Sequence, residues 1–187
     1  VDQLWEDFSN DLHKSPREVL TFLKDFSDDE CKQLLNQLDL IPYDPGDVVF
    51  QQGDESAGMF CILEGQAEAL VDSPQGPLPI AILNQGEIFG ELGFISQGER
   101  NATIKIRQTS RLLILTPNEF RKLERNSPHL AVKLLINLFS ILVKRFLDKS
   151  NAYLELRTLL DRLIEKQTRM NEGATVPESS KGSYTVE

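Results

Sequence analysis

Two charged side chains in one glycine-containing stretch could together hold a sugar phosphate. Glu91 and Arg100 lie nine residues apart in the sequence FGELGFISQGERNAT, which begins at Phe89. The planar guanidinium of an arginine can donate two hydrogen bonds to phosphate oxygens at once. A carboxylate would repel the phosphate, but it accepts a hydrogen bond from a sugar hydroxyl. We therefore predict a clamp in which Arg100 binds an anionic phosphate and Glu91 binds a ribose hydroxyl.

The glycines of this stretch would let the backbone approach the same anion. Gly90 and Gly93 have no side chain, so the chain can pass close to a ligand there. The segment from Glu91 to Ser96 is long enough for one helical turn, whose first amide groups could face the phosphate. An alternative is that Arg100 forms a structural ion pair with Glu99 or Glu91, since ion pairs also hold loops in place.

Short apolar runs surround the clamp and are separated by turn residues, with a glycine at almost every corner. The runs are Val48 to Phe50, Met59 to Leu63, Ala67 to Val71, Leu78 to Leu83, Thr103 to Ile106 and Leu112 to Leu115. Sharp turns between strands often need positive φ, which glycine adopts without strain. The pattern predicts an α+β fold built on an antiparallel β-barrel or jelly roll of about eight strands, over residues 39–126.

Helical segments flank the predicted barrel. Ser27 and Glu30 have the spacing of a capping box, and apolar residues repeat at helical spacing on both sides of it, which predicts an N-terminal helical segment over residues 1–38. Pro117 and Pro128 each follow a capping residue and open two later helices. We predict one long helix over residues 127–170 and a disordered polar tail over residues 171–187.

The clamp and the strand series before it resemble a known family. The sequence PGDVVFQQGDESAGMFCILEGQAEAL leads into the stretch that begins at Phe89. Together they are similar to the cyclic nucleotide-binding domains of cAMP-dependent protein kinase regulatory subunits, catabolite activator proteins and nucleotide-gated channels. That family carries F-G-E-x-(A/G)-L, then an arginine followed by small residues, and this chain departs from the pattern at Phe94. The resemblance covers roughly Phe26 to Arg145.

The resemblance implies a set of ligand-binding residues. Glu91 would bind the ribose 2′-hydroxyl, Arg100 the cyclic phosphate, and backbone amides near Asn101 would complete the phosphate site. The full predicted set is Phe89, Gly90, Glu91, Leu92, Gly93, Arg100, Asn101, Ala102 and Arg145. In the family an alanine at position 101 is typical of cAMP binding, whereas a threonine often accompanies cGMP binding. Asn101 leaves that preference open, and we expect cAMP, with cGMP as the alternative.

The long helix carries the last predicted ligand contact and a predicted dimer interface. A family helix residue caps the base, and the guanidinium of Arg145 could stack on a purine, although a solvated surface position is an equal alternative. A heptad repeat places Phe139, Phe146, Tyr153, Leu160 and Gln167 at one core position and Leu142, Lys149, Leu156, Leu163 and Met170 at the other. Eight of these ten residues are apolar, which favours a parallel coiled-coil homodimer beyond Asn151.

Composition excludes several other functions. The formal net charge of −9 argues against a nucleic acid partner. With two histidines and two cysteines we find no catalytic constellation, so we expect no enzyme activity, no cofactor and no metal. Neither a signal peptide nor a membrane span is evident, and we expect a cytoplasmic chain, for which a larger parent protein is an open alternative. The alternative function is a degenerate barrel that serves as a dimerisation or interaction module without nucleotide.

Overall fold

The computed structural model of the chain describes residues 15–172. Side chains are described as far as Arg162, apart from Leu156 and Leu159. Most of the predicted tail, and the first part of the predicted N-terminal helical segment, lie outside this range. The chain divides into two compact units after Ile141, and the long C-terminal helix runs through the boundary.

The N-terminal segment consists of three short helical pieces that cover one side of the sheet. These are α1 (Pro16–Val19), a 3₁₀ turn (Thr21–Leu23) and α2 (Asp28–Leu35). The predicted capping box at the start of α2 is confirmed, because the Ser27 hydroxyl accepts from the Glu30 amide and the Glu30 carboxylate accepts from the Ser27 amide. The apolar stripe before the box is buried as predicted, and Leu20, Leu23 and Phe26 are almost fully inaccessible to solvent.

Six antiparallel strands form one sheet. They are β1 (Asp39–Tyr43), β2 (Val48–Phe50), β3 (Met59–Val71), β4 (Leu78–Leu83), β5 (Ile88–Phe89) and β6 (Thr103–Leu115). The hydrogen-bonded order is β1–β6–β3–β4, with β2 paired to β6 and β5 paired to β3. The predicted α+β fold with a jelly-roll-like sheet is therefore confirmed, although among the described strands the pairing does not close into a complete barrel.

The strand count is lower than expected because two pairs of predicted strands are continuous. Met59 to Leu63 and Ala67 to Val71 belong to one bent strand, β3, and the two predicted strands after the clamp likewise form β6. The register between β3 and β6 shifts around Glu64 and Gly65, where a turn had been expected. Gly65 has φ of +94°, and a Cβ there would collide with the Ser110 side chain, so the glycine bends the strand instead of ending it.

Alternate residues of the long strands face two different cores. Met59, Cys61 and Leu63 belong to a core shared with the helices, whereas Phe60 and Ile62 belong to a second core inside the curved sheet. This alternation follows from the two-residue period of a strand whose two faces are both buried. β3 is therefore an internal wall with helices on one side and the sheet interior on the other.

Three helices follow the sheet or interrupt it. α3 (Glu91–Ser96) lies between β5 and β6, α4 (Pro117–Asn126) follows β6, and α5 (Pro128–Glu172) starts at the predicted proline. Within the first unit, the N-terminal part of α5 packs on the N-terminal helices through Leu130, Leu134 and Leu138. The buried Asn137 side chain donates to the Phe22 carbonyl at 3.0 Å, which fixes this contact.

Both cysteines, Cys31 and Cys61, are buried and free, so they form no disulfide with each other. Burial raises the pKa of the Cys31 thiol to about 11. No helix within residues 15–172 is long and apolar enough to cross a membrane. In the same part of the chain, no cluster of three histidine, cysteine, aspartate or glutamate residues could hold a metal ion.

An ion pair between α5 and α2 makes a pH-dependent contribution to stability. Lys133 Nζ lies 2.7 Å from a Glu30 oxygen and 5.0 Å from the centre of the Phe26 ring. The hydrogen bond from Lys133, with the one from the Ser27 amide, holds the pKa of Glu30 below its ordinary value. The folded-state pKa is thus the lower one, so this stabilisation is present above the unfolded pKa and is lost as the pH falls through the folded pKa.

We expect Lys133→Met to lower the free energy of unfolding by about 1 kcal/mol near neutral pH, because both side chains are partly exposed and solvent screens the pair. The loss should shrink at an acidic pH at which Glu30 is protonated, below the ordinary range of a glutamate because its folded-state pKa is lowered. Urea unfolding at both pH values measures this, with the exposed Lys105→Met on β6 as the matched control. An equal loss at both pH values would contradict the assignment.

Candidate functional site

The predicted phosphate-binding arginine is buried at the start of the chain segment leading into β6. Arg100 is 4% exposed. Its Nη1 donates to the Gly90 carbonyl at 2.9 Å, and its Nη2 donates to the Gly58 carbonyl at 2.8 Å. These bonds tie the guanidinium to the backbone just before α3 and just before β3, so contacts within the protein fix its position.

The guanidinium of Arg100 also packs against aromatic rings, those of Phe50 and Phe60. The Arg100 guanidinium carbon lies 4.0 Å from the centre of the Phe50 ring and 5.7 Å from that of Phe60. Phe60 and Phe89 are stacked, with centroids 5.3 Å apart, and Phe50 contacts both rings. A cation over an aromatic face is attracted by the ring quadrupole, most strongly where water is excluded. The three phenylalanines thus form a rigid platform for Arg100.

The electrostatic environment of Arg100 leaves part of its hydrogen-bonding capacity unused. Burial lowers the pKa of Arg100, while the carboxylates of Asp54 and Glu91 act in the opposite direction. Within the described residues its Nε is buried and has no hydrogen-bond partner. Buried polar groups in native proteins are nearly always paired. An anionic oxygen placed beside this nitrogen would supply the missing acceptor and offset the cost of burying the charge.

The helix α3 positions Glu91 and the first helical amides close to the arginine. Gly90 precedes the helix with φ of +73°, a left-handed conformation that glycine adopts without strain. Glu91 is the first helical residue and is 6% exposed. The first amides of a helix have no acceptor within it, so they remain available to an anion. The carboxylate, the guanidinium and the first helical amides therefore come from one short stretch of chain.

The structure brings most of the predicted site residues together. Three of them, Phe89 to Glu91, are consecutive, and Arg100 donates a hydrogen bond to the Gly90 carbonyl. Ala102 packs against the core inside the sheet. Leu92 and Asn101 are exposed, whereas Gly93 is buried against Ser56. Arg145 belongs to the part of α5 beyond Ile141, in the second unit, and its contact with a purine base stays a prediction.

Three residues that contribute to this site were not anticipated from the sequence. Phe50 stacks on the guanidinium, the Gly58 carbonyl accepts from it, and Asp54 acts on its pKa. All three lie in the segment from the end of β2 to the start of β3, more than forty residues before Arg100. Phe50 ends the apolar run Val48–Phe50, which indicates a strand, but Val48 two residues before it is exposed, so the run does not show which face Phe50 occupies. Nothing in the sequence indicates that the Gly58 carbonyl accepts a hydrogen bond from Arg100.

Gly90 is the residue whose replacement should disturb this site most directly through the backbone. A Cβ at Gly90 would lie 2.6 Å from Arg100 Nη1, and φ is +73°. We expect Gly90→Ala to cost about 1–3 kcal/mol in the free energy of unfolding, because backbone strain and displacement of the guanidinium add together. Gly46→Ala is the control, since φ there is +98° but nothing lies within 4 Å of its Cβ. Equal losses in urea unfolding would show that the contact with Arg100 has no effect.

The chain matches a family model with the description "Cyclic nucleotide-binding domain" over residues 40–127. It is 27% identical over 116 residues to the cAMP-dependent protein kinase regulatory subunit of Schizosaccharomyces pombe, covering 62% of this chain and 27% of that protein. It is 31% identical over 88 residues to cGMP-dependent protein kinase 2 of Homo sapiens, covering 46% and 11%. The chain thus spans a small part of these relatives, which are much longer proteins.

A solved structure has the same fold. The cyclic nucleotide-binding domain from Methylobacillus flagellatus superposes with a TM-score of 0.65 and 26% identity, over 80% of this chain and 82% of that one. The matched residues 40–127 include the platform, α3 and Arg100. Over these residues, the chain is similar to the cyclic nucleotide-binding domain family and shares its fold.

Proposed function

We propose that this domain binds a cyclic nucleotide, with the cyclic phosphate on Arg100 and the first amides of α3, and the ribose 2′-hydroxyl on Glu91. The observation that carries the proposal is the buried Arg100 guanidinium, whose Nε has no partner among the described residues and which lies over Phe50. A phosphate oxygen is an acceptor of the right charge for this donor. A degenerate module without ligand would have no use for a buried cation with an unfilled donor.

The preferred nucleotide is cAMP. Relatives named for cAMP dependence and for cGMP dependence both match this chain, so similarity does not separate the two ligands. Asn101, directly after Arg100, is exposed and lacks the hydroxyl of the threonine that often accompanies cGMP binding in the family. Its amide can donate as well as accept. We therefore expect tighter binding of cAMP, with cGMP as a weaker ligand of the same site.

Calorimetric titration of cAMP, and separately of cGMP, into the unmodified chain tests this function. Bound nucleotide is first removed by unfolding and refolding the protein. The expected result is saturable binding of one nucleotide per chain, with the smaller Kd for cAMP. If neither nucleotide releases heat or raises the unfolding temperature, the domain is not a nucleotide sensor.

The output of the domain is carried by α5, and we propose that it forms a homodimer. Four apolar side chains spaced seven residues apart are exposed on this helix: Phe139 (67%), Phe146 (69%), Tyr153 (62%) and Leu160 (55%). We call these four the seam residues, and the exposure of Phe139 and Phe146 extends the proposed interface to residues before Asn151. Large apolar side chains at a strict heptad spacing are typical of a coiled-coil interface. A second copy of the helix would bury them.

Signalling would then follow from a population shift. We propose that bound nucleotide favours a docked position of α5 in which Arg145 stacks on the nucleotide base. Without nucleotide, α5 would be docked more loosely. A ligand can shift such an equilibrium only by its differential affinity for the two states. The domain would act without catalysis, as a regulatory part of a longer cytoplasmic protein, and the buried free thiols Cys31 and Cys61 are in keeping with a reducing compartment.

A further inference from the structure

The helix α3 also forms one wall of a second concave site. This cleft has a volume of about 910 Å³ and lies between α3, the loop before β3, α4 and the first part of α5. Neither Glu91 nor Arg100 is among its lining residues. Its size falls within the range of about 300–1,000 Å³ that is usual for binding sites. The cleft therefore lies beside the proposed nucleotide site, and the two share α3 and its residue Gly93.

The floor of the cleft is apolar. Phe94 from α3 and Phe120 from α4 meet edge to face with ring centroids 5.7 Å apart. Ile95 and Leu135 line the same cleft and are 48% and 39% exposed. Exposed apolar side chains gathered in a concave surface favour a ligand that buries them. A ligand of this cleft should therefore present an apolar group to the floor.

The rim of the cleft is predominantly acidic. Glu55, Glu99 and Glu124 line it and are exposed, and Arg121 is the basic residue in the lining. A backbone bridge between Glu55 and Glu99 holds these two residues side by side. Three carboxylates against one guanidinium give the rim a negative potential, which attracts cations and repels phosphates. A ligand of this cleft should therefore carry positive charge where it contacts the rim.

The cleft wall contains an unpaired buried hydroxyl and a residue in a left-handed backbone conformation. Ser56 Oγ, in the lining, is buried and has no hydrogen-bond partner among the described residues. Gln97, at the end of α3, has φ of +52°, a left-handed conformation that is uncommon for residues other than glycine. Backbone strain and unpaired buried polar atoms both concentrate at functional sites.

We propose that this cleft binds a cationic amphipathic segment of a partner protein, with apolar side chains on the Phe94–Phe120 floor and arginine or lysine side chains at the three carboxylates. The volume accommodates a few side chains, and the charge pattern selects a basic segment over an acidic one. An amphipathic helix that lays its apolar face into a groove is a common mode of recognition between proteins. Binding there does not require nucleotide, so the proposal stands apart from the function proposed above.

The test uses a fluorescein-labelled peptide of about twelve residues, made of leucine and arginine in helical amphipathic order. Its binding to the unmodified chain, without nucleotide, is followed by fluorescence anisotropy near physiological ionic strength. The test variant replaces the three rim carboxylates: Glu55→Gln, Glu99→Gln and Glu124→Gln. The matched control replaces three exposed carboxylates elsewhere: Asp39→Asn, Asp72→Asn and Glu155→Gln. Both triple variants change the net charge equally, and thermal unfolding checks that each is folded.

We expect saturable binding by the parent, a loss of at least about tenfold in the rim variant and less than about threefold in the control. Leu135→Ser, which removes an apolar side chain from the floor without changing the net charge, should also weaken binding, and a peptide with glutamate in place of arginine should not bind. Equal losses in the two triple variants would assign the binding to the general acidic field and overturn the proposal. Absence of binding by the parent would overturn it as well. Reduced dimerisation of the rim variant in sedimentation would give the cleft to a second copy of this chain instead.

Discussion

Replacing Arg100 with alanine is expected to weaken cAMP binding at least about 100-fold. A hydrogen bond to a charged group contributes about 1.5–3 kcal/mol, and the guanidinium can offer two to one phosphate, which together correspond to two or more powers of ten in Kd. The substitution removes the charge and both donors. It also leaves the carbonyls of Gly58 and Gly90 without their partner. Titration calorimetry on the parent and the variant measures the change.

A second substitution separates charge from geometry at the same position. Arg100→Lys keeps a positive charge but lacks the planar fork that bonds two oxygens together. We expect it to bind cAMP more weakly than the parent and more tightly than Arg100→Ala. Arg107→Ala is the matched control, because Arg107 lies on β6 close to the same segment and is exposed. If Arg100→Ala is folded and binds cAMP within about threefold of the parent, the arginine has a structural role and the clamp is wrong.

The clamp could be predicted from the sequence because its parts are close in the chain. Glu91, the glycine before it and Arg100 fall within eleven residues, and their chemical types alone indicate a sugar phosphate. The platform beneath the arginine could not be predicted in the same way. Phe50 precedes Arg100 by fifty residues, and the pairing of β2 with β6 and the backbone hydrogen bonds of Arg100 with the loop after β2 bring the two together. Residues close together in the chain can thus be recognised as one site, whereas the residues that support them depend on how the strands pair.

The glycines illustrate a limit of turn prediction. Gly46 and Gly53 have positive φ and lie between β1 and β2 and after β2, where turns were expected. Gly65 also has positive φ, but it lies inside β3 and bends that strand. A sequence indicates that a left-handed residue is needed at such positions, and both a turn and a bulge meet that need. Which of the two forms is decided by the partner strand, β6, and not by the residues near Gly65.

Introducing glutamate at two seam residues of α5 is expected to abolish the proposed homodimer. Burial of one phenylalanine side chain contributes about 1.5–3 kcal/mol, and each position occurs twice in a symmetric dimer. The variant Phe139→Glu/Phe146→Glu replaces both rings and places like charges opposite each other across the seam. We expect the dimer dissociation constant to rise at least about 100-fold. Sedimentation equilibrium over a range of concentrations measures it.

The matched control for the seam is Lys144→Glu, which changes the net charge by the same amount on an exposed position of the same helix, away from the heptad core. It should leave the dimer constant within about threefold. Phe139 and Phe146 are more than half exposed in the single chain, so the seam variant should unfold at nearly the same temperature as the parent once both are monomeric. A parent that is monomeric at every concentration would contradict the dimer. A seam variant that still dimerises would move the interface elsewhere on the chain, because no coiled coil along these residues tolerates four buried carboxylates.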